Sequence, residues 1–292
     1  MTDTRIPMAA PMTRVRWLEL SAMSGVWKRE TTLFRRYWRS TTFSSVVEPT
    51  IYLLAFGFGF GSLVSVVNGY RYIEFLGTGV VATAVLFSSA FAGMFVTFIR
   101  RVYQKSYDAV LATPVDVHEL VAAEGTWIAS KAGVYGCAPL LVAIAFGLDP
   151  SWGMLLVPLV GFLTGLGFAL FGIWASAVVP SIDSFNYIIS GLLTPLFLVA
   201  GTFFPIEGLP DWARVLAQVN PLFHCVQLVR HAAFGLQPLD DLYHAAVLVL
   251  FAALMGFLAE RKMRSRLIDL PAPSPTLAAV ADDTSRRRRG AR

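Results

Sequence analysis

The chain has 292 residues, of which 55% are hydrophobic and 15% are charged, and its mean hydropathy is +0.60. A soluble domain with a polar surface does not tolerate this composition, so lipid is the expected solvent for much of the chain. The length allows roughly six spans of about 20 residues with their loops, and it excludes a large soluble catalytic domain as well. The net charge of +5 could suggest nucleic-acid binding, but the basic residues are clustered and the clusters follow the expected membrane topology.

Residues 1–42 contain aromatic and apolar residues at roughly helical spacing, with arginines and a lysine between them. This pattern predicts an amphipathic helix in the cytoplasmic interface, with aromatic rings at the headgroup boundary and cations toward anionic lipid. A solvated juxtamembrane helix is the alternative. The residues that carry the pattern are Trp17, Leu20, Met23, Trp27, Phe34 and Trp38.

Apolar runs long enough to cross the hydrocarbon occur six times, which predicts an all-α integral membrane domain with six transmembrane helices over residues 43–260. Most of the 24 Lys and Arg residues lie before the first span, after Glu260, or between spans two and three. Because cytoplasmic loops carry an excess of Lys and Arg, both termini are expected in the cytoplasm. The predicted spans are 43–67, 75–99, 123–147, 153–179, 185–204 and 242–259.

The connection between spans two and three, residues 101–120, is too polar to cross a membrane. Pro114 prevents the preceding helix from continuing, and Thr113 or Asp116 can cap the helix that leads into span three. The connection therefore predicts a short helix, a break and then the span.

The segment before the last span, residues 205–240, predicts two short helices, at 211–219 and 222–234, separated by Asn220 and Pro221. Neither helix can span the bilayer. Non-helical backbone at membrane depth is tolerated only where it is buried in protein or lines a cavity, so a re-entrant hairpin here would mark an external gate. One face of the second helix, which would turn to external water or to substrate, carries His224, Gln227 and His231.

Ionisable residues in or beside the predicted spans are Glu48, Glu124, Lys131 and His244, and each is costly there unless it is paired or near an interface. Glu124 and Lys131 are seven residues apart and share a helix face. We expect a structural ion pair or snorkelling rather than a proton relay.

Small residues also form a pattern within the spans. Gly57 with Gly61 and Gly161 with Gly165 are G-x-x-x-G pairs, whose missing side chains let backbones approach closely. One pair could form a dimer contact, but intramolecular packing is the expected role.

Two kinds of functional site are missing from the sequence. There is no G-x-x-x-x-G-K-[ST] loop, so the chain cannot bind ATP through that phosphate cradle. There is also no H-E-x-x-H motif, and four histidines in all, which argues against a catalytic metal site.

Three motifs in order resemble the ABC-2 type permeases, in the branch of nodulation protein J and the daunorubicin-resistance permeases. The first, PTIYLLAFGFGFG, begins at Pro49 in span one. The second, YQKSYDAVLATPVDVHELVAAEGTW, begins at Tyr103 and resembles the signature of the family. The third, FFPIEGLPDWARVLAQVNPLFHCVQLVR, begins at Phe203 and is similar to the external segment before the last span.

The resemblance implies an ABC exporter half-transporter in a bacterial plasma membrane. Two such permeases would pair as a homodimer, and each would dock a cytoplasmic ATP-binding-cassette ATPase that holds the ATP and Mg. The chain itself would be no enzyme and would bind no cofactor; membrane lipids are further partners, and nucleic acid is not expected. The cargo implied is amphiphilic or lipid-linked: a lipo-oligosaccharide, polysaccharide, lipid or drug.

The candidate site residues fall in two regions, and the resemblance implies the role of the first. The ATPase-coupling region comprises Tyr103, Gln104, Lys105, Tyr107, Asp108, Leu111, Thr113 and Pro114. The external gate or substrate path comprises Phe204, Pro205, Asn220, Pro221, His224 and Gln227.

An ion-coupled carrier or channel that works without an ATPase is the alternative function. It would need midplane ionisable residues or discontinuous spans in matching halves, and the sequence has little of either. Residues 261–292, with the run Arg286 to Arg289, are expected to form a disordered basic tail attracted to anionic lipid.

Overall fold

The computed structural model describes residues 19–64, 66–67, 69–208 and 210–268. Trp17 and the arginine run of the tail lie outside these residues. As the sequence predicts, six helical segments within them are long and apolar enough to cross a membrane. The segments are Leu20–Gly61, Tyr72–Tyr103, Val117–Ala145, Trp152–Val178, Ile182–Val199 and Pro238–Leu267.

The first segment is one uninterrupted helix, α1 (Leu20–Gly61). Its 42 residues extend about 63 Å at 1.5 Å per residue, roughly twice the thickness of the hydrocarbon core. A helix is therefore present in this part of the chain, as predicted, but it continues into the first span without a break. Pro49 lies inside α1 and costs one backbone hydrogen bond, since it has no N–H to offer the Ser45 carbonyl.

Two aromatic rings expected at the lipid headgroups face protein instead. Trp27 and Phe34 pack edge-on against Trp127, with ring centroids 5.3 and 6.0 Å apart, and the Trp27 indole N–H donates to the Thr126 hydroxyl at 3.3 Å. The first half of α1 thus packs along the helix that contains Trp127, and part of its apolar face contacts protein.

A short antiparallel hairpin, β1 (Val66–Val67) and β2 (Tyr70–Arg71), connects α1 to α2 (Tyr72–Phe91). The Glu74 carboxylate accepts a hydrogen bond from the Arg71 backbone N–H at 3.1 Å and from its Nε at 2.6 Å, which stabilises the start of α2. Arg71 also donates to the Gly147 carbonyl at 2.5 Å, so one side chain joins the hairpin to the loop after the third spanning segment.

The second spanning segment continues from α2 through two π-helical turns, Ala92–Val96 and Ile99–Tyr103. After Lys105, which adopts a left-handed backbone conformation with φ of +50°, the chain forms the short helix α3 (Ser106–Leu111). The predicted order of short helix, break and span is confirmed.

The third spanning segment begins with α4 (Val117–Tyr135), and Asp116 is its N-cap. The Asp116 carboxylate accepts the Val117 N–H at 2.7 Å, and the Glu119 carboxylate accepts the Asp116 N–H at 2.9 Å. Thr113, the other capping candidate, bonds back to the Val110 carbonyl.

The remaining helices follow in chain order. The third segment ends with α5 (Ala138–Ala145), and the fourth consists of the turn Trp152–Leu156 and α6 (Val157–Val178). The fifth comprises the turn Ile182–Ser184, α7 (Phe185–Ile188), the π-helical turn Ile189–Leu193 and α8 (Thr194–Val199). The two short helices predicted before the last span are present as α9 (Asp211–Val219) and α10 (Pro221–Phe234), and α11 (Pro238–Leu267) completes the fold.

Helix α6 lies at the centre, packed against α2, α4 and α11. Glycines allow the close approach: a Cβ on Gly93 would lie 2.4 Å from the Ala169 carbonyl oxygen, and one on Gly161 would lie 3.0 Å from the Gly133 Cα. A Cβ on Gly165 would likewise meet Ala132. Intramolecular packing of this G-x-x-x-G pair is therefore confirmed.

The bundle has two distinct ends. The terminal end is defined by the start of α1, α3, the turn Ile182–Ser184 and the last turns of α11. The distal end is defined by the hairpin, the loop 146–151, α9 and α10. Because α11 continues to Leu267, residues 261–267 belong to the last helix and not to the predicted tail.

Candidate functional site

The predicted coupling region forms an exposed surface at the terminal end. Tyr107 is the buried residue of α3, with 1% of its surface accessible, and Leu111 is partly buried. The other side chains of the set are exposed: Tyr103, Gln104, Lys105, Asp108, Thr113 and Pro114. Tyr107 therefore anchors a short helix whose outer surface is exposed.

Tyr107 is connected to the helix on the other side of the break. Its hydroxyl donates a hydrogen bond to Glu124 of α4. Burial, together with the adjacent carboxylate, raises the pKa of Tyr107 well above its ordinary value, so the phenol remains a protonated donor. This hydrogen bond connects α3 to the third spanning segment.

Glu124 belongs to a buried network of two arginines and two carboxylates. Arg100 donates to both oxygens of Glu30, at 2.7 and 2.8 Å, and to Glu124 at 2.9 Å. Arg29 donates to each carboxylate at 2.8 Å. Glu30 and Glu124 are 5% and 3% exposed, so each depends on these charge-assisted bonds to offset its lost hydration. The network connects α1, the end of the second segment, α3 and α4.

The expected structural ion pair of Glu124 is present, but Lys131 is not its partner. Glu124 pairs with Arg100 and Arg29, and the Lys131 ammonium lies 5.9 Å from the centroid of the Trp127 ring. A spacing of seven residues places Glu124 and Lys131 on one helix face. Neighbouring helices nevertheless supply nearer partners for the carboxylate. The sequence does contain a signal for Glu30, which is the sole acid between Leu20 and Val47.

A second set of contacts joins α11 and α6 to the coupling region. Arg264 of α11 donates to the Asp116 carboxylate at 3.0 Å. Partial burial acts to raise the pKa of Asp116, but the Val117 N–H, Arg264 and His118 outweigh it and hold this pKa below its ordinary value. Arg101 and Arg266 donate to the Ser176 and Ala177 carbonyls at 2.6 and 2.9 Å, where the C-terminus of α6 favours cations.

A groove of about 700 Å³ runs between α1, α2, and the region of α8 and its following loop. Half of its lining residues, counted over the described part of the chain, are aromatic. The rings also contact one another, as in Phe56 with Phe203 and Phe87 with Phe197, at centroid distances of 5.3 and 5.7 Å. The aromatic lining consists of Tyr52, Phe56, Phe60, Tyr72, Phe87, Phe91, Phe197, Phe203 and Phe204.

The residues predicted for an external gate separate into two places. Phe204 lines the groove, and Pro205 follows it in the chain. Asn220, Pro221, His224 and Gln227 are not among the groove-lining residues. Asn220 instead has a structural role: its amide donates to the Leu196 carbonyl at 2.7 Å, and its oxygen accepts the Leu222 N–H at 2.9 Å. Pro221 is the first residue of α10, as suits a proline.

His224 is fully buried, so a face turned to water or to substrate is the wrong interpretation for this residue. Its Nδ1 lies 2.7 Å from Nδ1 of His244 in α11, and its Nε2 lies 2.8 Å from the Gln218 carbonyl. His231 likewise bonds to Asp241 of α11 at 2.6 Å. Sequence reasoning missed this cluster because it depends on α11 packing against α10. Among the residues that the structure describes, no group of three or more His, Cys, Asp or Glu could hold a metal ion.

A second contact set at the distal end fixes α10 to the chain that leaves α8. The Arg230 guanidinium lies 3.8 Å from the centroid of the Phe75 ring and donates to the Gly201 carbonyl at 2.7 Å. Gly201 has φ of +79°, a conformation that favours glycine. The position of α10 is thus tied to the turn from which the groove residue Phe204 extends.

Comparison with known proteins gives a family match and several relatives that align with most of the chain. A family model described as ABC-2 type transporter matches residues 22–234. The chain is 32% identical to Nodulation protein J of Sinorhizobium fredii over 244 residues, which cover 83% of this chain and 93% of the relative. It is 31% identical to Nodulation protein J of Rhizobium leguminosarum bv. trifolii, covering 83% and 93%. It is 26% identical to the inner membrane transport permease YadH of Escherichia coli, covering 79% and 90%.

Proposed function

Because the chain belongs to the ABC-2 type transporter family and is a multi-pass membrane transport subunit, we propose that it exports an amphiphilic or lipid-linked cargo with energy from a separate ATPase. The cargo class includes lipo-oligosaccharides, polysaccharides, lipids and drugs. One relative is named an inner membrane transport permease, which supports transport across a bacterial plasma membrane.

The observation that carries the proposal is the geometry of α3. Its outer surface is exposed at the terminal end, while Tyr107 connects it to a buried network that includes three of the spanning segments. An ATPase that binds this surface would move α3 together with the network, whose charged side chains are already paired. The movement would therefore reach α1, the second spanning segment and α4 together, since breaking a buried ion pair is costlier than moving it intact.

We place the terminal end in the cytoplasm. Most Lys and Arg residues lie within residues 1–42, after Glu260 or beside α3, which is the distribution of cytoplasmic segments. The ATPase, which needs cytoplasmic ATP, then lies on the same side as α3. The distal end, with α9 and α10, faces outward in this orientation.

We further propose that two copies of the chain pair along α1 and the fifth segment. The exposed side chains of these helices are large and apolar, including Ile51, Phe58 and Leu198, which are 59%, 58% and 55% exposed. Lipid or a second copy could cover them. A pair would place two aromatic grooves side by side and form the cargo pathway between them.

The docking of the ATPase tests the function directly. The permease is co-expressed with its ATP-binding-cassette partner, purified and reconstituted, and the amount of bound ATPase and its hydrolysis rate are measured. Asp108→Lys, which reverses an exposed charge on α3, is expected to reduce both at least fivefold; about 1 kcal/mol of lost binding suffices for this ratio. The matched control is Asp149→Lys, which reverses an exposed charge in the distal loop.

Equal behaviour of the two variants would show that α3 is not the docking surface. If the purified chain instead moved cargo along an ion gradient without any ATPase, the alternative of an ion-coupled carrier would replace the proposal. Deletion of residues 107–113 with full retention of ATPase stimulation would likewise contradict it.

A further inference from the structure

Glu48 is a carboxylate that the proposed coupling mechanism leaves unused. It is exposed, it lines the aromatic groove, and it forms no ion pair with any residue that the structure describes. It precedes Gly61 by 13 residues, or about 20 Å of helix, which is less than the roughly 30 Å thickness of a hydrocarbon core. A charge in such a position is costly unless it meets a counter-charge, so it points to a functional site.

The polar atoms around Glu48 are acceptors and hydroxyls. Ser44 and Ser45 line the same part of the groove. Pro49 removes the donor that would otherwise satisfy the Ser45 carbonyl. On the opposite wall the Thr83 hydroxyl is buried, and it has no hydrogen-bond partner among the described residues. Over the same residues, no Lys, Arg or His lines the groove, so Glu48 is the one charged side chain of its lining.

The walls beyond this polar end are aromatic. Tyr52, one helical turn from Glu48, stacks on Phe56 with centroids 6.3 Å apart, and Phe56 contacts Phe203. Aromatic faces carry negative charge density and attract organic cations, above all quaternary and primary amines. The same rings favour burial of apolar chains. A carboxylate beside aromatic faces therefore selects for a positive, partly apolar ligand and against an anion.

We propose that the groove binds an organic cation that carries an apolar chain or ring system, with its charged nitrogen beside Glu48 and its apolar part against Tyr52 and Phe56. That this ligand is the exported cargo rests on the proposed export function. Glu48 is the residue that determines the charge specificity of the groove. Anionic amphiphiles of equal length are expected to bind weakly.

Two photoactivatable probes test this inference on the full chain. Both carry the same dodecyl chain with a diazirine; one ends in trimethylammonium and the other in sulfonate. The chain is placed in nanodiscs of phosphatidylcholine at neutral pH, irradiated with each probe, and the labelled residues are identified by mass spectrometry. The cationic probe is expected to label the groove about tenfold more than the anionic probe, a ratio equivalent to about 1.4 kcal/mol.

Glu48→Gln is expected to abolish this preference, whereas Glu48→Asp keeps it because the charge remains. Asp149→Asn removes an acid outside the groove and is expected to leave the ratio at its original value. Equal labelling by the two probes in the unmodified chain, or an unchanged preference in Glu48→Gln, overturns the inference.

The assay contains no ATPase. If the chain shows no preference for the cationic probe, the proposed ligand class is rejected, but the ATPase-docking result for α3 is unaffected. If docking fails, the labelling result is likewise unaffected.

Discussion

The hydroxyl of Tyr107 in α3 donates a hydrogen bond to the carboxylate of Glu124 in α4, across the break that Pro114 introduces. Seventeen residues separate the two positions in sequence. The bond joins the exposed short helix to the buried charge network, so the surface proposed to meet the ATPase is not a flexible loop.

Tyr107→Phe removes the donor and leaves one oxygen of Glu124 without this hydrogen bond. Because the acceptor is buried and charged, we expect the free energy of unfolding to fall by about 1–3 kcal/mol. The measurement is the free energy of unfolding in mixed detergent micelles. Tyr103→Phe is the control, since Tyr103 is 64% exposed, and its replacement is expected to change stability by less than about 0.5 kcal/mol. Equal losses in both variants would contradict the assigned role of the bond.

Arg100→Met leaves Glu30 and Glu124 buried with Arg29 as their remaining arginine partner. Removing one member of a buried ion-pair network costs about 3–5 kcal/mol, and we expect a loss in this range. Arg36→Met, at an exposed position of α1, should stay within about 0.5 kcal/mol.

The pairing itself is tested by a double variant. Arg100→Met with Glu30→Leu is expected to lose less stability than the sum of the two single changes, because the second change removes a charge that the first left unpaired. Simple additivity would mean that Arg100 and Glu30 do not interact.

Gly93→Ala tests the close packing of the second and fourth spanning segments. The new Cβ would lie 2.4 Å from a backbone oxygen of α6, an atom that cannot move without shifting the helix. We expect a loss of at least about 1–3 kcal/mol, as for overpacked cores. Gly25→Ala is the matched control: nothing lies within 4 Å of its Cβ position, and it should be neutral or stabilising by up to about 1 kcal/mol. A tolerated Gly93→Ala would show that the two helices are farther apart.

Acid should weaken the packing of α10 on α11. His224 lies outside the six spanning segments, and burial lowers its pKa, opposed in part by the bond to the Gln218 carbonyl. An unfolded histidine takes up its proton near pH 6.5. Below about pH 6.5 the unfolded state therefore binds more protons than the folded state, and stability falls as the pH is lowered toward the folded pKa.

The groups that face this site are His244 and Tyr243 of α11, with His231 and Asp241 beside them. The measurement is the midpoint of thermal unfolding between about pH 7.5 and pH 5.5, where we expect a decrease. His224→Asn is expected to flatten this dependence, whatever its effect at neutral pH. An equally steep dependence in the variant would assign the acid sensitivity to other groups.

Local chemistry made several elements predictable. Asp116 with Glu119 is a capping box that any helix start can use, and Asn220 followed by Pro221 separates two helices wherever they lie. The count of six spans follows from runs of apolar residues, since each run must be long enough to cross lipid. Each of these features depends on residues close together in sequence.

The same reasoning could not show that the predicted interfacial helix and the first span form one continuous helix. Both patterns are helical, and Pro49 is the one strong helix breaker between Leu20 and Gly61. The helix α1 continues through this proline at the loss of one backbone hydrogen bond. Whether a helix stops between two amphipathic stretches is decided by what packs beside it, and here Trp127 of α4 covers Trp27 and Phe34.

The sequence by itself determined that the protein is a membrane protein, that six segments are long and apolar enough to cross, and where its short helices lie. Composition and patterns among neighbouring residues govern those features. Tertiary structure alone decided the partners of the buried charges. Glu124 lies beside Arg100 and Arg29 because helices distant in sequence meet there. The physical reason is that a buried charge is stabilised by the nearest opposite charge in space, which helical spacing along one chain segment does not identify.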